Sequence, residues 1–508
     1  MAKINLEEVT IGNREQRLGS IISWSGKASE LSDLSGYSRG QCKGKGPGCR
    51  LCEVKGPFSQ GTGCSEQMIG CQAGNIRDAV LIQHAPIGCS ASQCYDSSVY
   101  RNGLDLRGIP VENLRTTSTN LQEGDLVFGG VGKLRLTIED VWDFYKPKAI
   151  FIGTSCATGI IGDDVDSVAA EYSEKLGIPV IPLHCEGFKS KHWSTGFDVT
   201  QHGILRQIVK KDPVKQEDLV NVINLWGSDV FRPMLKNLDL RVNYVVDMAT
   251  VDDLAQMSEA AVTVSFCNTL STYLAEGLEQ EFGVPQLKAS QPYGTKGTDD
   301  WLRGLAKLTG REDLAEKFIL SEHERIAPII EGLRRKLKGK RGFVATGSAY
   351  SHGLISVLKE LGVEVNGSMV FHHDPIYDNE DPGLDSLGYM IDNYGDVDEF
   401  AVSNRQPFQF YTMMKRLKPD FILVRHDGLA PVASRLGIPA APLGDEHIAI
   451  GYEGIINLGR TIVEILRRRK FHEDIARHVD VPYSTWWKEQ TDINVLAKHP
   501  ELIDEGFE

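Results

Sequence analysis

The feature that most constrains this chain is a series of short apolar runs separated by segments with helical periodicity. The runs are apolar at nearly every position, as in Ala149-Ile150-Phe151-Ile152-Gly153, instead of alternating with polar residues. Strands of this kind are buried on both faces, which is typical of parallel sheets covered by helices. We therefore predict strands over Ala79–His84, Ala149–Gly153, Val180–His184, Val262–Phe266, Gly342–Thr346, Glu364–Val370 and Phe421–Arg425.

Helical patterns fill the intervals between these runs. Strands that alternate with helices form βαβ units with right-handed crossovers. The chain length has room for about three domains of ordinary size. The sequence thus predicts an α/β fold of about three Rossmann-like, doubly wound parallel-sheet domains. We predict helices over Val165–Lys175, Leu270–Phe282, Asp299–Leu308, Arg311–Lys336, His352–Leu361, Phe408–Leu417 and Gly454–Arg468.

Composition and periodicity also indicate where the domains begin and end. The first 60 residues are rich in Gly, Ser, Lys and Cys and have little periodicity, so we expect an irregular extension over 1–60. Three α/β domains are expected over 61–215, 216–340 and 341–470. A charged tail over 471–508 completes the chain.

The charge balance excludes one broad class of partner. Lys and Arg total 55 against 69 Asp and Glu, a net charge of −14. Sequence-independent nucleic-acid binding depends on neutralising phosphates, so we expect no nucleic-acid partner. The sequence has no apolar run long enough to cross a membrane and no apolar leader at Met1. We therefore expect a cytoplasmic protein with no membrane partner.

Cysteine is distributed unevenly along the chain. Seven of the ten cysteines lie in the first hundred residues, and none follows Cys267. Without an export signal, such clustering indicates metal or iron–sulfur ligands more than disulfides. Within this group, Cys42, Cys49 and Cys52 could bind an extra iron–sulfur cluster or zinc, or belong to an extension that covers a partner; both interpretations stay open.

Four cysteines lie just beyond the carboxyl ends of predicted strands. They are Cys89, Cys156, Cys185 and Cys267. Open α/β sheets bind ligands in the crevice outside these ends. A single cysteine in such a position is as often a packing residue, but four in equivalent positions favour a shared site.

Several segments resemble the catalytic component of nitrogenases, in its α-type subunit. Gly153-Thr154-Ser155-Cys156-Ala157-Thr158-Gly159 is similar to the segment around one cluster cysteine of that family. Gln83-His84-Ala85-Pro86-Ile87-Gly88-Cys89 is similar to another. Ser265-Phe266-Cys267, followed by Gly283-Val284-Pro285, resembles the segment that anchors the catalytic cofactor. The similar segments occur in family order from about residue 60 to 470.

The resemblance implies two iron–sulfur sites between the domains. Cys64, Cys89 and Cys156 would supply this subunit's share of an [8Fe-7S] P-cluster, with Cys71 as the alternative to Cys64. Cys267 would anchor a large nitrogenase-type iron–sulfur cofactor, whose heterometal and organic acid stay open. Its second ligand would be His447, with His426 as the alternative.

The resemblance also implies partners. A β-type homologous subunit would complete an α2β2 heterotetramer, and a homodimeric iron protein with a [4Fe-4S] cluster would hydrolyse ATP. The chain itself has no Gly-x4-Gly-Lys-Ser/Thr phosphate loop, so ATP hydrolysis would belong to that partner.

One loop departs from the nitrogenase pattern. Trp193 and Phe197 occupy the positions where nitrogenases have a Gln and a His against the cofactor. Aromatic rings cannot relay protons, and they suit a small organic substrate. The sequence is therefore identified as closest to the methylthio-alkane reductases, which cleave carbon–sulfur bonds to methanethiol and a hydrocarbon. His192 is our expected proton donor, with His202 and Asp198 as alternatives.

Other functions remain open or are disfavoured. A scaffold for nitrogenase-type cofactor assembly and a true nitrogenase α subunit are the open alternatives. Retention of the Cys267 segment disfavours a tetrapyrrole reductase of the same fold. A nucleotide-dependent dehydrogenase is disfavoured because no Gly-x-Gly-x-x-Gly fingerprint follows a strand.

Overall fold

A computed structural model describes residues 3–32, 63–90, 93–375, 381–403, 407–425, 429–445 and 447–491, and positions 495, 499 and 501. The described chain forms three largely parallel sheets flanked by helices. This confirms the predicted α/β fold, and every predicted strand and helix is present. None of the described helices combines the length and apolar character that a membrane span requires.

The first sheet carries most of the predicted cluster cysteines. Its strands β2 (Ala79–His84), β3 (Thr116–Ser118), β4 (Ala149–Thr154) and β5 (Val180–Leu183) lie in the order β3-β2-β4-β5, all parallel. Every residue of β2, β4 and β5 is buried, because helices cover both faces.

The second sheet contains two strands that the sequence analysis missed. Its order is β7-β6-β8, from β6 (Gln216–Asn224), β7 (Arg241–Val246) and β8 (Ala260–Ser265). Buried asparagines interrupt the apolar runs of β6 and β7. The Asn243 amide donates to Asn221 Oδ1 at 3.0 Å, and Asn221 donates to the Met257 carbonyl at 2.8 Å. These bonds satisfy the buried amides, so the strands remain stable without a continuous apolar pattern.

The third sheet includes one strand from the segment over 1–60 that we expected to be irregular, of which the structure describes residues 3–32. It contains β9 (Arg341–Thr346), β10 (Glu364–Val370), β11 (Phe400–Ser403), β12 (Phe421–Val424) and β13 (Ala440–Pro442). Strand β1 (Ser23–Gly26), from the amino-terminal segment, pairs antiparallel with β11 and closes this edge. The segment is regular here because the edge strand offers it unpaired backbone groups.

The helices follow the connections between strands. Their bounds are α1 Arg14–Arg17, α2 Ala28–Ser32, α3 Ser65–Ala73, α4 Gln93–Leu106, α5 Glu123–Phe128, α6 Val131–Tyr145, α7 Cys156–Ile161, α8 Val165–Leu176, α9 Thr195–Gln207, α10 Phe231–Lys236, α11 Val251–Ala255, α12 Asn268–Phe282, α13 Gly294–Thr309, α14 Glu312–Leu337, α15 Ser348–Glu360, α16 Ser386–Tyr394, α17 Pro407–Leu417, α18 Leu429–Arg435, α19 Gly451–Arg467, α20 Arg469–His478 and α21 Thr485–Glu489. Short 3-10 turns cover Ile87–Ser90, Gly187–Lys189 and Gln256–Glu259.

The carboxyl ends of the strands supply the candidate site residues. Cys89 follows β2, Cys156 follows β4 and Cys267 follows β8. The loop after β5 leads into α9 and carries His192 and Trp193, and His447 follows β13. Residues far apart in sequence thus come from equivalent ends of the three sheets.

Candidate functional site

The structure brings Cys64, Cys89 and Cys156 together at one edge of the first sheet. Strands β2 and β4 are neighbours in register, so the turn with Cys89 lies beside Cys156 at the start of α7. Cys64 caps the amino terminus of α3. An added Cβ on Gly187 would lie 3.4 Å from Cys64 Sγ and 3.5 Å from Cys156 Sγ, so both sulfurs face this glycine.

The environment of the Cys64 and Cys89 thiols favours their protonated form in the absence of a cation. Burial raises the pKa of Cys64, and burial together with Glu66 and the two neighbouring thiols raises the pKa of Cys89 to about 11. A metal ion or cluster supplies the positive charge that deprotonates such thiols. Three converging thiols therefore have the chemistry of an iron–sulfur ligand set.

The rival residue Cys71 lies elsewhere. It is buried in the hydrophobic core on the second turn of α3, whereas Cys64 is the residue that precedes the first turn. Cys185 is also buried, and burial raises the pKa of its thiol. The described geometry thus groups Cys64, and not Cys71, with Cys89 and Cys156.

The surface around these three cysteines is apolar. Ile87 is 62% exposed in the turn that carries Cys89, Ile160 is 76% exposed in α7, and Phe188 is 56% exposed beside Gly187. Clustered exposed apolar side chains of this kind mark a protein-interaction surface. We call Ile87, Ile160 and Phe188 the apolar rim.

Cys267 lies in a separate, buried environment. It ends the run of β8 and caps the amino terminus of α12, and only 6% of its surface is exposed. Its backbone N–H donates to Ser265 Oγ at 3.0 Å, which fixes the turn. The amino terminus of a 15-residue helix favours a thiolate at this position.

Trp193 and Phe197 form a buried aromatic wall. Their rings meet edge to face with centroids 5.6 Å apart. The Trp193 ring also contacts the His372 ring, at 6.0 Å between centroids. Both aromatic side chains are more than 90% buried. The wall is rigid because packed aromatic rings in this geometry attract each other beyond simple area burial.

His192 is fully buried in a hydrogen-bond network. The Ser194 backbone N–H donates to His192 Nδ1 at 3.2 Å, which leaves the ring proton on Nε2. Nε2 lies 3.5 Å from Asp374 Oδ1, so its proton faces that carboxylate.

Sequence reasoning missed His372 and Asp374, which follow strand β10. His372 Nδ1 lies 3.2 Å from Asp374 Oδ2, and His372 Nε2 lies 3.2 Å from the Thr269 hydroxyl. Ligand atoms of His192, His372 and Asp374 lie within 4.8 Å of one another, close enough for one metal ion. His192 Nε2 and His372 Nδ1 both lie within ion-pair distance of the Asp374 carboxylate, at 3.5 and 3.2 Å. The carboxyl-end rule, applied to His372-His373-Asp374, could have found them.

The two alternative proton donors hold the amino-terminal segment in place. Burial opposes ionisation of Asp198, but Arg14 and Arg17 outweigh it and lower the pKa of the Asp198 carboxyl. Burial lowers the pKa of His202 to about 4; its Nε2 bonds the Glu8 carbonyl at 2.8 Å and its Nδ1 the Tyr273 hydroxyl at 2.9 Å. At neutral pH the Asp198 carboxyl is ionised, and the single ring proton of neutral His202 is bound by the Glu8 carbonyl.

His447 has the hydrogen bonding of a metal-ligating histidine. Its Nδ1 bonds the Ser228 carbonyl at 2.5 Å, so Nδ1 carries the proton and Nε2 keeps a lone pair. Nε2 is buried and has no hydrogen-bond partner. Metal-bound histidines typically donate their other ring N–H to a carbonyl in this way. Burial and Arg107 lower the pKa of His447 to about 4, so the ring is neutral at pH 7.

Aromatic rings and one glycine position the His447 ring. The Phe266 ring, next to Cys267 in sequence, meets it edge to face at 5.0 Å. Gly227 has φ +83°, and a Cβ there would lie 2.7 Å from the ring. The rival ligand His426 lies outside the described residues, as do Cys42, Cys49, Cys52 and the side chain of Cys94.

Comparisons with known proteins show the family to which the chain belongs. The family model for nitrogenase component 1 type oxidoreductases matches residues 67–467. The nitrogenase molybdenum-iron protein alpha chain of Methanosarcina barkeri is 30% identical over 71% of this chain and 69% of its own. The nitrogenase iron-molybdenum cofactor biosynthesis protein NifE of Methanococcus maripaludis is 28% identical over 76% of this chain and 79% of its own. A solved structure of nitrogenase Cp1 at pH 5 has a TM-score of 0.68 at 23% identity, over 85% of this chain and 92% of that one.

Proposed function

Because this chain belongs to the nitrogenase component 1 type oxidoreductases, we propose that it is the catalytic α-type subunit of a nitrogenase-like reductase that acts on methylthio-alkanes. The observation that carries the proposal is that buried ligand-type side chains and a buried apolar wall both follow the carboxyl ends of strands, although the strands belong to different sheets. Cys267 and His447 are buried ligand-type side chains, and Trp193 and Phe197 form a buried apolar wall.

The residues present fit a large iron–sulfur cofactor. The buried Nε2 atom of His447 has a lone pair and no partner, which costs free energy unless a ligand engages it. Cys267 supplies a thiol at a helix amino terminus. Cys267 and His447 would hold the group from two sides, and when bound it would supply low-potential electrons to the substrate.

The side chains of this chain would select and protonate the substrate. Trp193 and Phe197 would pack against the alkyl groups of a thioether and exclude water. His192 holds a proton at Nε2 beside Asp374, and His372 links this pair to Thr269 near Cys267. The reaction breaks one carbon–sulfur bond, consumes two electrons and two protons, and releases methanethiol and a hydrocarbon.

The three surface cysteines would form half of a relay cluster. Cys64 and Cys89 are half-buried, Cys156 is exposed, and the residues of the apolar rim lie on the same segments or next to them. A β-type partner that covers the rim would complete an [8Fe-7S] P-cluster and the α2β2 assembly. A separate iron protein with a [4Fe-4S] cluster would bind ATP and supply the low-potential electrons.

A second candidate is a scaffold for cofactor assembly. A cofactor biosynthesis protein is nearly as similar to this chain as the nitrogenase alpha chains are. A scaffold hands its cofactor on and has no need of a second strong ligand or of turnover. The role of His447 therefore distinguishes the two functions.

The test uses the anaerobically purified αβ complex with its iron protein. We expect the complex to release methanethiol from small thioethers and to contain more iron and acid-labile sulfide than one four-iron cluster per αβ unit. His447→Ala should abolish turnover and weaken cofactor retention, whereas His478→Ala, on an exposed helix end, should change neither. Unchanged turnover in His447→Ala contradicts the proposal, and transfer of the cofactor to an acceptor without turnover supports the scaffold.

A further inference from the structure

The Arg14 side chain is fully buried but uses only two of its three guanidinium nitrogens. Nε and Nη2 donate to the Asp198 carboxylate at 2.9 and 2.8 Å, and Nη2 also donates to the Thr269 carbonyl at 2.6 Å. Nη1 has no hydrogen-bond partner. Asp374 Oδ2 lies 3.6 Å from Nη1, which is an ion-pair distance and too long for a good hydrogen bond.

The position of Arg14 is fixed by the loop that carries His192 and Trp193. The Asn13 amide donates to the Lys189 carbonyl at 2.7 Å, and Glu15 accepts from the Ser190 hydroxyl at 2.8 Å. The Arg14 backbone N–H donates to the Thr195 hydroxyl at 3.2 Å. These bonds on both sides hold the α1 turn against the loop, so the direction of Arg14 does not depend on Asp198 alone.

Arg14 lies beside the proposed cofactor anchor. Its partner Thr269 is in the first turn of α12, the helix that Cys267 caps. Burial opposes its charge, but Asp198 and Asp374, with a smaller contribution from the Cys267 thiolate, raise the pKa of the Arg14 guanidinium. Arg14 is therefore a permanent cation within electrostatic range of the Cys267 sulfur.

We propose that Arg14 Nη1 donates a hydrogen bond to the sulfide face of the iron–sulfur group that Cys267 anchors, so that the amino-terminal segment forms one wall of that site. The inference rests on the proposed function, because it takes Cys267 as the anchor. A buried N–H of a cation without an acceptor is costly, and cluster sulfides accept hydrogen bonds. A donated bond and a nearby cation stabilise the more negative, reduced form of the group, which raises its reduction potential.

The experiment compares two arginines of the same turn in the full αβ complex. Arg17 also donates to Asp198 Oδ2, at 2.5 Å, and its guanidinium stacks on the Tyr273 ring. Arg17→Gln is therefore a matched control for the loss of one Asp198 ion pair. We expect Arg14→Gln to weaken cofactor retention by about 10- to 100-fold and to shift the potential of the remaining cofactor to more negative values. Arg17→Gln should leave both properties unchanged.

The readouts are iron and acid-labile sulfide per αβ unit, and a spectroscopic redox titration. Arg14→Lys keeps the positive charge and is the control for a loss of cofactor through misfolding. It should shift the reduction potential less than Arg14→Gln. Equal cofactor content and potential in Arg14→Gln and Arg17→Gln overturn this inference. Cys267→Ala distinguishes a failure of the Arg14 inference from a failure of the proposed function. If Cys267→Ala loses the cofactor while Arg14→Gln keeps it, only the Arg14 inference fails. If Cys267→Ala also keeps the cofactor, the proposed function fails with it.

Discussion

Single hydrogen bonds determine what the buried histidines of this protein can do. His192 and His447 are both fully buried and both bond a backbone group through Nδ1, but with opposite polarity. The Ser194 N–H leaves a proton on Nε2 of His192, whereas the Ser228 carbonyl leaves a lone pair on Nε2 of His447. The first residue can therefore hold a proton, and the second can bind a metal.

The aromatic wall gives a prediction for one substitution. We expect Trp193→His to lower thioether turnover and to produce no appreciable ammonia from dinitrogen. The smaller imidazole would leave a gap beside Phe197 and His372, where the alkyl groups of the thioether would pack, and a single substitution leaves the remaining residues of the pocket unchanged. Methanethiol and ammonia assays of the αβ complex check this. Robust ammonia formation would show that this position alone decides the substrate.

At the level of elements, the cysteine-bearing helix α3 depends on its close contact with α9. An added Cβ on Gly196 would lie 2.1 Å from the Ser65 carbonyl oxygen and 3.2 Å from the Ile69 nitrogen. These are backbone atoms, so no side chain can move aside. Glycine at position 196 thus lets α9 approach the helix that Cys64 caps.

The helix contact predicts the effect of Gly196→Ala. We expect a loss of about 1–3 kcal/mol in stability, because the helices must separate. Displacement of Cys64 should also lower the iron bound at the relay site. Gly132→Ala in α6, where a Cβ meets no atom within 4 Å, is the control and should raise stability by up to about 1 kcal/mol. Thermal unfolding and iron content measure both effects, and equal behaviour of the two variants would contradict the packing argument.

The contact of α9 with the amino-terminal segment predicts an acid-sensitive element. The folded-state pKa of His202 is about 4, below the ordinary value of 6.5, so the folded chain binds fewer protons than the unfolded chain between these values. The stability that depends on neutral His202 is complete above about pH 6.5 and declines as the pH falls toward 4.

The free energy of unfolding of the parent chain should fall as the pH drops from 7 to 4.5. We expect this fall to be about 2 kcal/mol smaller in His202→Gln. Unfolding midpoints across this range measure the difference. The protection of the amides in residues 3–9, measured relative to the intrinsic exchange rate at each pH, should fall with acid in the parent chain and less in the variant, because His202 bonds the Glu8 carbonyl. Identical pH profiles would mean that other groups control the acid response.

At the level of the whole molecule, the apolar rim indicates that the chain is one part of a larger assembly. We expect Ile160→Asp to leave the unfolding temperature of the isolated chain unchanged, because the side chain is exposed. The same change should prevent association with the β-type partner and the filling of the relay site. Val214→Asp, at 78% exposure outside the cysteine-bearing elements, is the control. Sedimentation of the mixed subunits checks this, and normal assembly of Ile160→Asp would exclude the rim as the interface.

The sequence by itself determined the fold class and the positions of the candidate ligands. Continuous apolar runs are a local pattern, and such strands are stable only in a covered parallel sheet. The turn after such a strand faces the binding crevice, so Cys89, Cys156 and Cys267 could be singled out one by one. The pattern of continuous apolar runs did not identify strands β6 and β7, because buried asparagines interrupt their runs. These asparagines are stable there because they are hydrogen-bonded across the sheet.

Only the tertiary structure decided which distant groups meet. Cys64, and not Cys71, lies beside Gly187 and Cys156 because the amino-terminal end of α3 faces Gly187, whereas Cys71 faces the core. Arg14, His372 and Asp374 meet near Cys267 although more than 350 residues separate the first from the last. No local pattern encodes such a meeting, because it arises from the packing of whole elements and from the hydrogen bonds that fix each buried polar group.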